Sequence, residues 1–141
     1  MDLYAIYLVS DSVGETADVV IRSALYQFET ENYQLKKYSY VQTTEEIDDI
    51  CAKAAEDEKA MIFYTFVKKE MADYMKSRIE HSNLIGVDIY SPILTGLGQL
   101  FQLPAKEKPG MNRQLNEDYF NRVEAIEFSV KYDDGRDPRG I

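Results

Sequence analysis

Four runs, three of them apolar and the one at residues 33–41 rich in tyrosine, alternate along the chain with four stretches in which apolar residues recur every three or four positions. Each run is bounded by polar residues, which is typical of strands buried in a parallel sheet. The runs span residues 3–9, 33–41, 61–65 and 84–89. The helical stretches begin near Val13, Thr43, Met71 and Ser91. This alternation predicts an α/β domain over residues 1–102, with a four-stranded, mainly parallel sheet and helices on both faces, as in Rossmann or flavodoxin folds.

Three of the predicted helices carry a start signal. Ser12 with Glu15 and Thr43 with Glu46 have the spacing of a capping box, in which two side chains bind each other's backbone N–H groups. The dipeptide Ser91-Pro92 has the order of a cap followed by a first-turn proline. We therefore expect side-chain caps at these three helix starts.

The pattern changes after residue 102. Prolines, a glycine and scattered charges predict a surface loop over residues 103–116. Residues 117–132 predict an extra carboxyl-terminal helix, since apolar residues return there at helical spacing. These apolar residues are Tyr119, Val123, Ile126 and Val130. Residues 133–141 form a charged tail that cannot build a core.

Composition narrows the classes of function. A formal net charge of -9 opposes binding to nucleic acid or to an anionic membrane surface. The apolar runs are far shorter than the ~20 residues of a membrane span, and no basic region precedes the first run as in a signal peptide. The single cysteine, Cys51, excludes an internal disulfide and lies on an apolar helix face. We expect a cytoplasmic protein with Cys51 in its core.

The turn after the first run holds the candidate chemistry. It carries hydroxyls, two carboxylates and a glycine, and these residues are Ser10, Asp11, Ser12, Gly14, Glu15 and Thr16. Open α/β sheets bind ligands at the carboxyl ends of their strands, and helix-start N–H groups bind phosphate. The carboxylates of Asp11 and Glu15 would repel a dianion unless a metal or a basic group intervenes. A capped helix start without any ligand fits the same pattern.

Other common sites are absent from the sequence. No glycine is followed by lysine, which excludes a P-loop of the usual pattern. His81 is the only histidine, so histidine metal clusters and Ser-His-Asp hydrolysis are excluded. Charged residues of the loop and tail could contact an anion or could simply be solvated. They are Arg113, Asp133, Asp134, Arg136 and Arg139.

Three segments in order resemble the regulatory proteins of pyruvate, phosphate dikinase and phosphoenolpyruvate synthetase. They are the Ser-Asp-Ser-Val-Gly-Glu-Thr-Ala turn at 10–17, the Pro-Gly loop at 109–115, and residues 119–140 with Lys-Tyr-Asp-Asp-Gly and Asp-Pro-Arg-Gly. The resemblance implies an ADP-dependent serine/threonine kinase that inactivates its dikinase or synthetase partner by phosphorylating a threonine near the partner's catalytic histidine. The reverse activity is a phosphorylase that uses inorganic phosphate and releases pyrophosphate.

The resemblance also implies roles for residues. Family members continue past Asp-Pro-Arg-Gly into a glycine-rich nucleotide loop, whereas this chain ends at Ile141. We therefore expect an amino-terminal fragment that is inactive alone and binds neither ADP, phosphate nor a metal tightly. Asp11, Ser10 and Ser12 are the catalytic candidates, with Asp11 orienting the target threonine or an ion. The binding candidates are Gly14, Glu15, Thr16, Arg113, Asp133, Asp134, Arg136 and Arg139.

Two alternatives stay open at this point. The glycine and final threonine of the 10–17 turn resemble a flavodoxin phosphate loop, which favours a module that binds flavin mononucleotide or another anion, although the two acids oppose it. A phosphoacceptor receiver fits less well, because the third run ends in Tyr64-Thr65 rather than aspartate. An interaction module is the second alternative, since the stripe of the 117–132 helix could drive self-association into a homodimer.

Overall fold

The computed structural model describes residues 3–110, in which strands and helices alternate strictly. The strands are β1 (Tyr4–Ser10), β2 (Tyr33–Tyr38), β3 (Lys59–Thr65) and β4 (Ile85–Asp88). The helices are α1 (Glu15–Leu25), α2 (Thr44–Glu56), α3 (Lys69–His81) and α4 (Tyr90–Phe101). Every strand and helix predicted for residues 1–102 is present, with bounds that differ from the predicted ones by a few residues.

The four strands form one sheet in the order β2-β1-β3-β4, and all three pairings are parallel. The first crossover leads from β1 to β2, whereas later crossovers place β3 and β4 on the opposite side of β1. The chain therefore reverses direction between the carboxyl ends of β1 and β3, which is the switch point where open α/β sheets bind ligands.

Helices cover both faces of this sheet, as the sequence predicted. On one face, Tyr7 and Val9 of β1 and Ile62 of β3 belong to a buried cluster with residues of α2 and α3. On the opposite face, α1 lies against β1 and β3 and buries Ala17 and Ile21. Apolar surface buried on both faces stabilises the sheet, by about 25 cal/mol for each Å² removed from water.

The helix starts follow the predictions in one case of three. The capping box of α2 is confirmed, since Glu46 N donates to Thr43 Oγ1 at 3.2 Å and Thr43 N donates to Glu46 Oε1 at 3.0 Å. The box predicted for Ser12 is wrong, because α1 starts with Gly14 as its N-cap and has no side-chain cap. Ser91 is also not a cap, since it lies within α4.

The remaining predictions concern the segments after residue 102 and the absence of membrane spans. Contacts divide the chain into the units Met1–Pro109 and Gly110–Ile141. The predicted helix over 117–132, the tail over 133–141 and residues 111–116 of the predicted loop lie outside the described residues. Within residues 3–110, no helix combines the length and apolar character needed to cross a membrane.

Candidate functional site

The candidate site lies at the carboxyl edge of the sheet, where β1 ends at Ser10 and β3 ends at Thr65. The two residues are register partners, so the loops that lead to α1 and α3 leave the sheet side by side. The 10–17 turn is the first of these loops. The sequence therefore placed its candidate chemistry at the edge that parallel α/β folds use for ligands.

Asp11 joins the two loops across the switch point. Its side chain is buried, and Oδ2 accepts a hydrogen bond from the backbone N–H of Val67 at 2.9 Å. Burial raises the pKa of Asp11, and the hydrogen bond from Val67 opposes this rise. The carboxylate therefore already has a structural partner, and it holds the loop after β3 against the loop after β1.

The turn itself is bound to the segment that follows β2. Ser10 Oγ accepts from the N–H of Ser12 at 3.0 Å, and the carbonyl of Ser12 accepts from the N–H of Tyr40 at 2.8 Å. The hydroxyl of Ser39 donates to the carbonyl of Val13 at 2.6 Å. These bonds shape the chain before α1, so that the side chain of Ser12 is not used as a cap.

The first turn of α1 carries N–H groups without a side-chain cap. The N–H of Asp18 is the first in α1 to donate a helical hydrogen bond, which goes to the carbonyl of Gly14 at 3.2 Å. The N–H groups of residues 15–17 therefore have no acceptor within the helix. Gly14 adopts φ +92°, a conformation that favours glycine. The hydroxyls of Thr16 and Tyr90 lie 3.2 Å apart, which links α1 to the start of α4. An uncapped helix start with nearby hydroxyls is suited to an oxyanion.

The structure thus brings together Ser10, Asp11, Ser12, Gly14 and Thr16 at one edge, with Glu15 exposed beside them. The other predicted site residues lie outside the described residues: Arg113, Asp133, Asp134, Arg136 and Arg139. Sequence reasoning missed Thr65 and Tyr90. The position of Thr65 at the end of a strand pattern was a usable signal for it, whereas no sequence signal marked Tyr90.

Two further observations concern metal ligands and the cysteine. Among residues 3–110, no group of three or more His, Cys, Asp or Glu side chains could hold a metal ion. Cys51 is buried, as predicted, with its Sγ 3.9 Å from the sulfur of Met75. Desolvation raises the pKa of the Cys51 thiol, so the residue behaves as a core side chain.

Comparison with known proteins identifies the family. The family model described as Kinase/pyrophosphorylase matches residues 6–141. The chain belongs to this family. Curated relatives named as pyruvate, phosphate dikinase regulatory proteins include one from Alkaliphilus oremlandii, 42% identical over 96% of this chain. Those of Bacillus velezensis and Bacillus subtilis are each 44% identical, over 100% and 96% of the chain.

The resemblance drawn from the three sequence segments is therefore confirmed. These family relatives are longer proteins, since the matched region is 49% of the Alkaliphilus oremlandii protein, 53% of that of Bacillus velezensis and 51% of that of Bacillus subtilis. The chain spans about half the length of the curated relatives it matches.

Proposed function

We propose that this chain is the amino-terminal part of an ADP-dependent serine/threonine kinase and phosphate-dependent, pyrophosphate-forming phosphorylase. The whole enzyme acts in the cytoplasm and regulates pyruvate, phosphate dikinase by reversible phosphorylation of a threonine. The observation that carries this proposal is the match of nearly the entire chain to relatives named as regulators of that dikinase. Those names favour the dikinase over phosphoenolpyruvate synthetase as the protein partner.

The carboxyl edge of the sheet is the part of this chain that we assign to the reaction. Phosphoryl transfer depends on positioning the reactants and neutralising charge on the phosphoryl oxygens. The free N–H groups of α1 supply partial positive charge, and the hydroxyls of Ser10, Ser12 and Thr16 supply hydrogen-bond donors. Asp11 acts as a positioning residue, because its bond to Val67 holds the two loops of the site together.

We assign nucleotide binding to the portion of the relatives' length that this chain does not span. ADP and inorganic phosphate are substrates of the whole enzyme. The sequence of this chain has no P-loop to hold the phosphates of ADP. The 141-residue chain alone is therefore expected to lack both activities, since it would supply one wall of a two-part active site.

A direct assay tests this proposal. A protein with the full length of the relatives is incubated with purified dikinase and ADP, and phosphothreonine on the dikinase is measured by mass spectrometry. Replacing ADP by inorganic phosphate should then remove the phosphoryl group and release pyrophosphate. The 141-residue chain serves as the inactive control. Absence of phosphothreonine with the longer protein would refute the activity, and phosphorylation by the 141-residue chain would refute the assignment of nucleotide binding.

A further inference from the structure

Thr65 is a buried polar residue for which the described fold provides no partner. It is the last residue of β3, it is 2% exposed, and its hydroxyl forms no hydrogen bond with any residue from 3 to 110. The hydroxyl oxygen of Thr65 is not completely sealed from solvent, since Arg78 Nε is the one fully sealed side-chain atom without a hydrogen bond among residues 3–110. A hydroxyl on so buried a residue, with no hydrogen-bond partner among the described residues, is a candidate ligand contact.

The direction of the Thr65 side chain follows from the sheet. Thr65 pairs in register with Ser10, so both side chains lie on the same face. This is the face covered by α1, since Tyr7, Val9 and Ile62 at the alternate positions belong to the core on the other face. Ser10 is 3% exposed, so two buried hydroxyl residues adjoin each other at the start of α1.

The contact between Thr16 and Tyr90 lies at the same carboxyl edge of the sheet. Thr16 belongs to the first turn of α1, Tyr90 is the first residue of α4, and their hydroxyl oxygens are 3.2 Å apart. Because β3 lies between β1 and β4 in the sheet, this contact spans the carboxyl end of β3, where Thr65 lies. The hydroxyls of Thr16 and Tyr90 and the uncapped N–H groups of α1 thus lie at the same edge of the sheet as Thr65.

Charges of both signs lie around the start of α1, and the acidic groups there are hydrogen-bonded, ion-paired or exposed to solvent. The amino end of α1 carries the positive end of the helix dipole. Lys37 lies beside Gly14, since a Cβ on Gly14 would be 3.3 Å from Lys37 Cε. The carboxylate of Asp11 is bound to the N–H of Val67, and Glu15 is exposed to solvent. Asp18, in the first turn of α1, pairs with Arg22 at 2.6 Å and with Lys37 at 3.9 Å.

We propose that Thr65 and the first turn of α1 form an oxyanion subsite that binds the oxygens of a phosphate group. The hydroxyl of Thr65 and the N–H groups of residues 15–17 donate to the phosphate oxygens. Its assignment to the inorganic phosphate of the phosphorylase reaction rests on the proposed function. A phosphothreonine of the partner protein offers the same oxyanion chemistry.

Phosphate binding by the 141-residue chain tests the subsite. Amide chemical shifts are followed by NMR during titration with inorganic phosphate at constant ionic strength. We expect saturable shifts at residues 15–17. Thr65→Val should weaken the apparent affinity about tenfold or more, as expected for loss of a hydrogen bond to a charged group. Thr65→Ser should retain binding, and Thr95→Val, at an exposed threonine of α4, should leave it unchanged.

The outcomes separate this subsite from the proposed function. Shifts that do not saturate in the wild-type chain would overturn the subsite, whether or not Thr65→Val folds. So would a folded Thr65→Val variant with wild-type affinity. Binding that depends on Thr65, together with a longer protein that cannot phosphorylate the dikinase, would support the subsite and refute the proposed function. A parallel titration with a phosphothreonine peptide identifies the source, since the physiological ligand should bind more tightly.

Discussion

Gly14 shapes the turn that leads from β1 into α1, and replacing it tests this geometry. Its backbone lies at φ +92° and ψ 18°, a left-handed conformation that costs a residue with a side chain about 1–2 kcal/mol. A Cβ would also lie 3.3 Å from Lys37 Cε, but this atom belongs to a flexible side chain that can move aside. We expect Gly14→Ala to lower the free energy of unfolding by about 1–2 kcal/mol, chiefly through backbone strain.

The matched control is Gly96→Ala within α4. A Cβ at Gly96 meets nothing within 4 Å, and alanine is a better helix former than glycine by up to about 1 kcal/mol. Urea unfolding of the 141-residue chain, followed by far-ultraviolet circular dichroism, measures both variants. We expect a lower midpoint for Gly14→Ala and an equal or higher midpoint for Gly96→Ala. A Gly14→Ala midpoint equal to that of the wild type would refute the left-handed turn.

Two further predictions concern buried polar groups and use the same urea assay. Tyr7→Phe removes the hydroxyl that donates to Asp57 Oδ2 at 2.6 Å and should lower the free energy of unfolding by about 1–2 kcal/mol. The control Tyr26→Phe, at an exposed tyrosine, should leave it unchanged, and equal midpoints for the two variants would contradict the hydrogen bond. Asp11→Asn keeps an acceptor for the N–H of Val67 but removes a carboxyl whose pKa is raised by burial. Because the folded state holds that proton more tightly, the wild type should lose stability relative to Asp11→Asn as pH rises above the ordinary aspartate pKa of about 4. A difference independent of pH would contradict this.

The two capping-box patterns show where prediction from sequence succeeds and where it fails. The Thr43 and Glu46 box forms as predicted, because each of its hydrogen bonds joins residues only three apart. The same spacing at Ser12 produces no cap. There the turn is held by Ser39 and Tyr40, which follow β2 and which no local pattern connects to Ser12.

The candidate site was predictable in part for a similar reason. Strand ends in an open α/β sheet collect functional residues, and this rule placed the 10–17 turn at the correct edge. The hydrogen bond that the N–H of Val67 donates to Asp11 could not be predicted from local pattern, since the two residues are 56 positions apart. The pairing of Thr65 with Ser10 depends likewise on which strand lies beside β1 and in which register.

Local pattern alone therefore determined the alternation of strands and helices, the parallel α/β class and the start of α2. These features follow from apolar spacing and from contacts within a few residues. The tertiary structure decided that β1 lies between β2 and β3, that Asp11 holds two loops together, and that Thr65 pairs with Ser10 at the edge where α1 begins. Strand order and register bring together residues far apart in the chain, and apolar periodicity carries no information about which strands become neighbours.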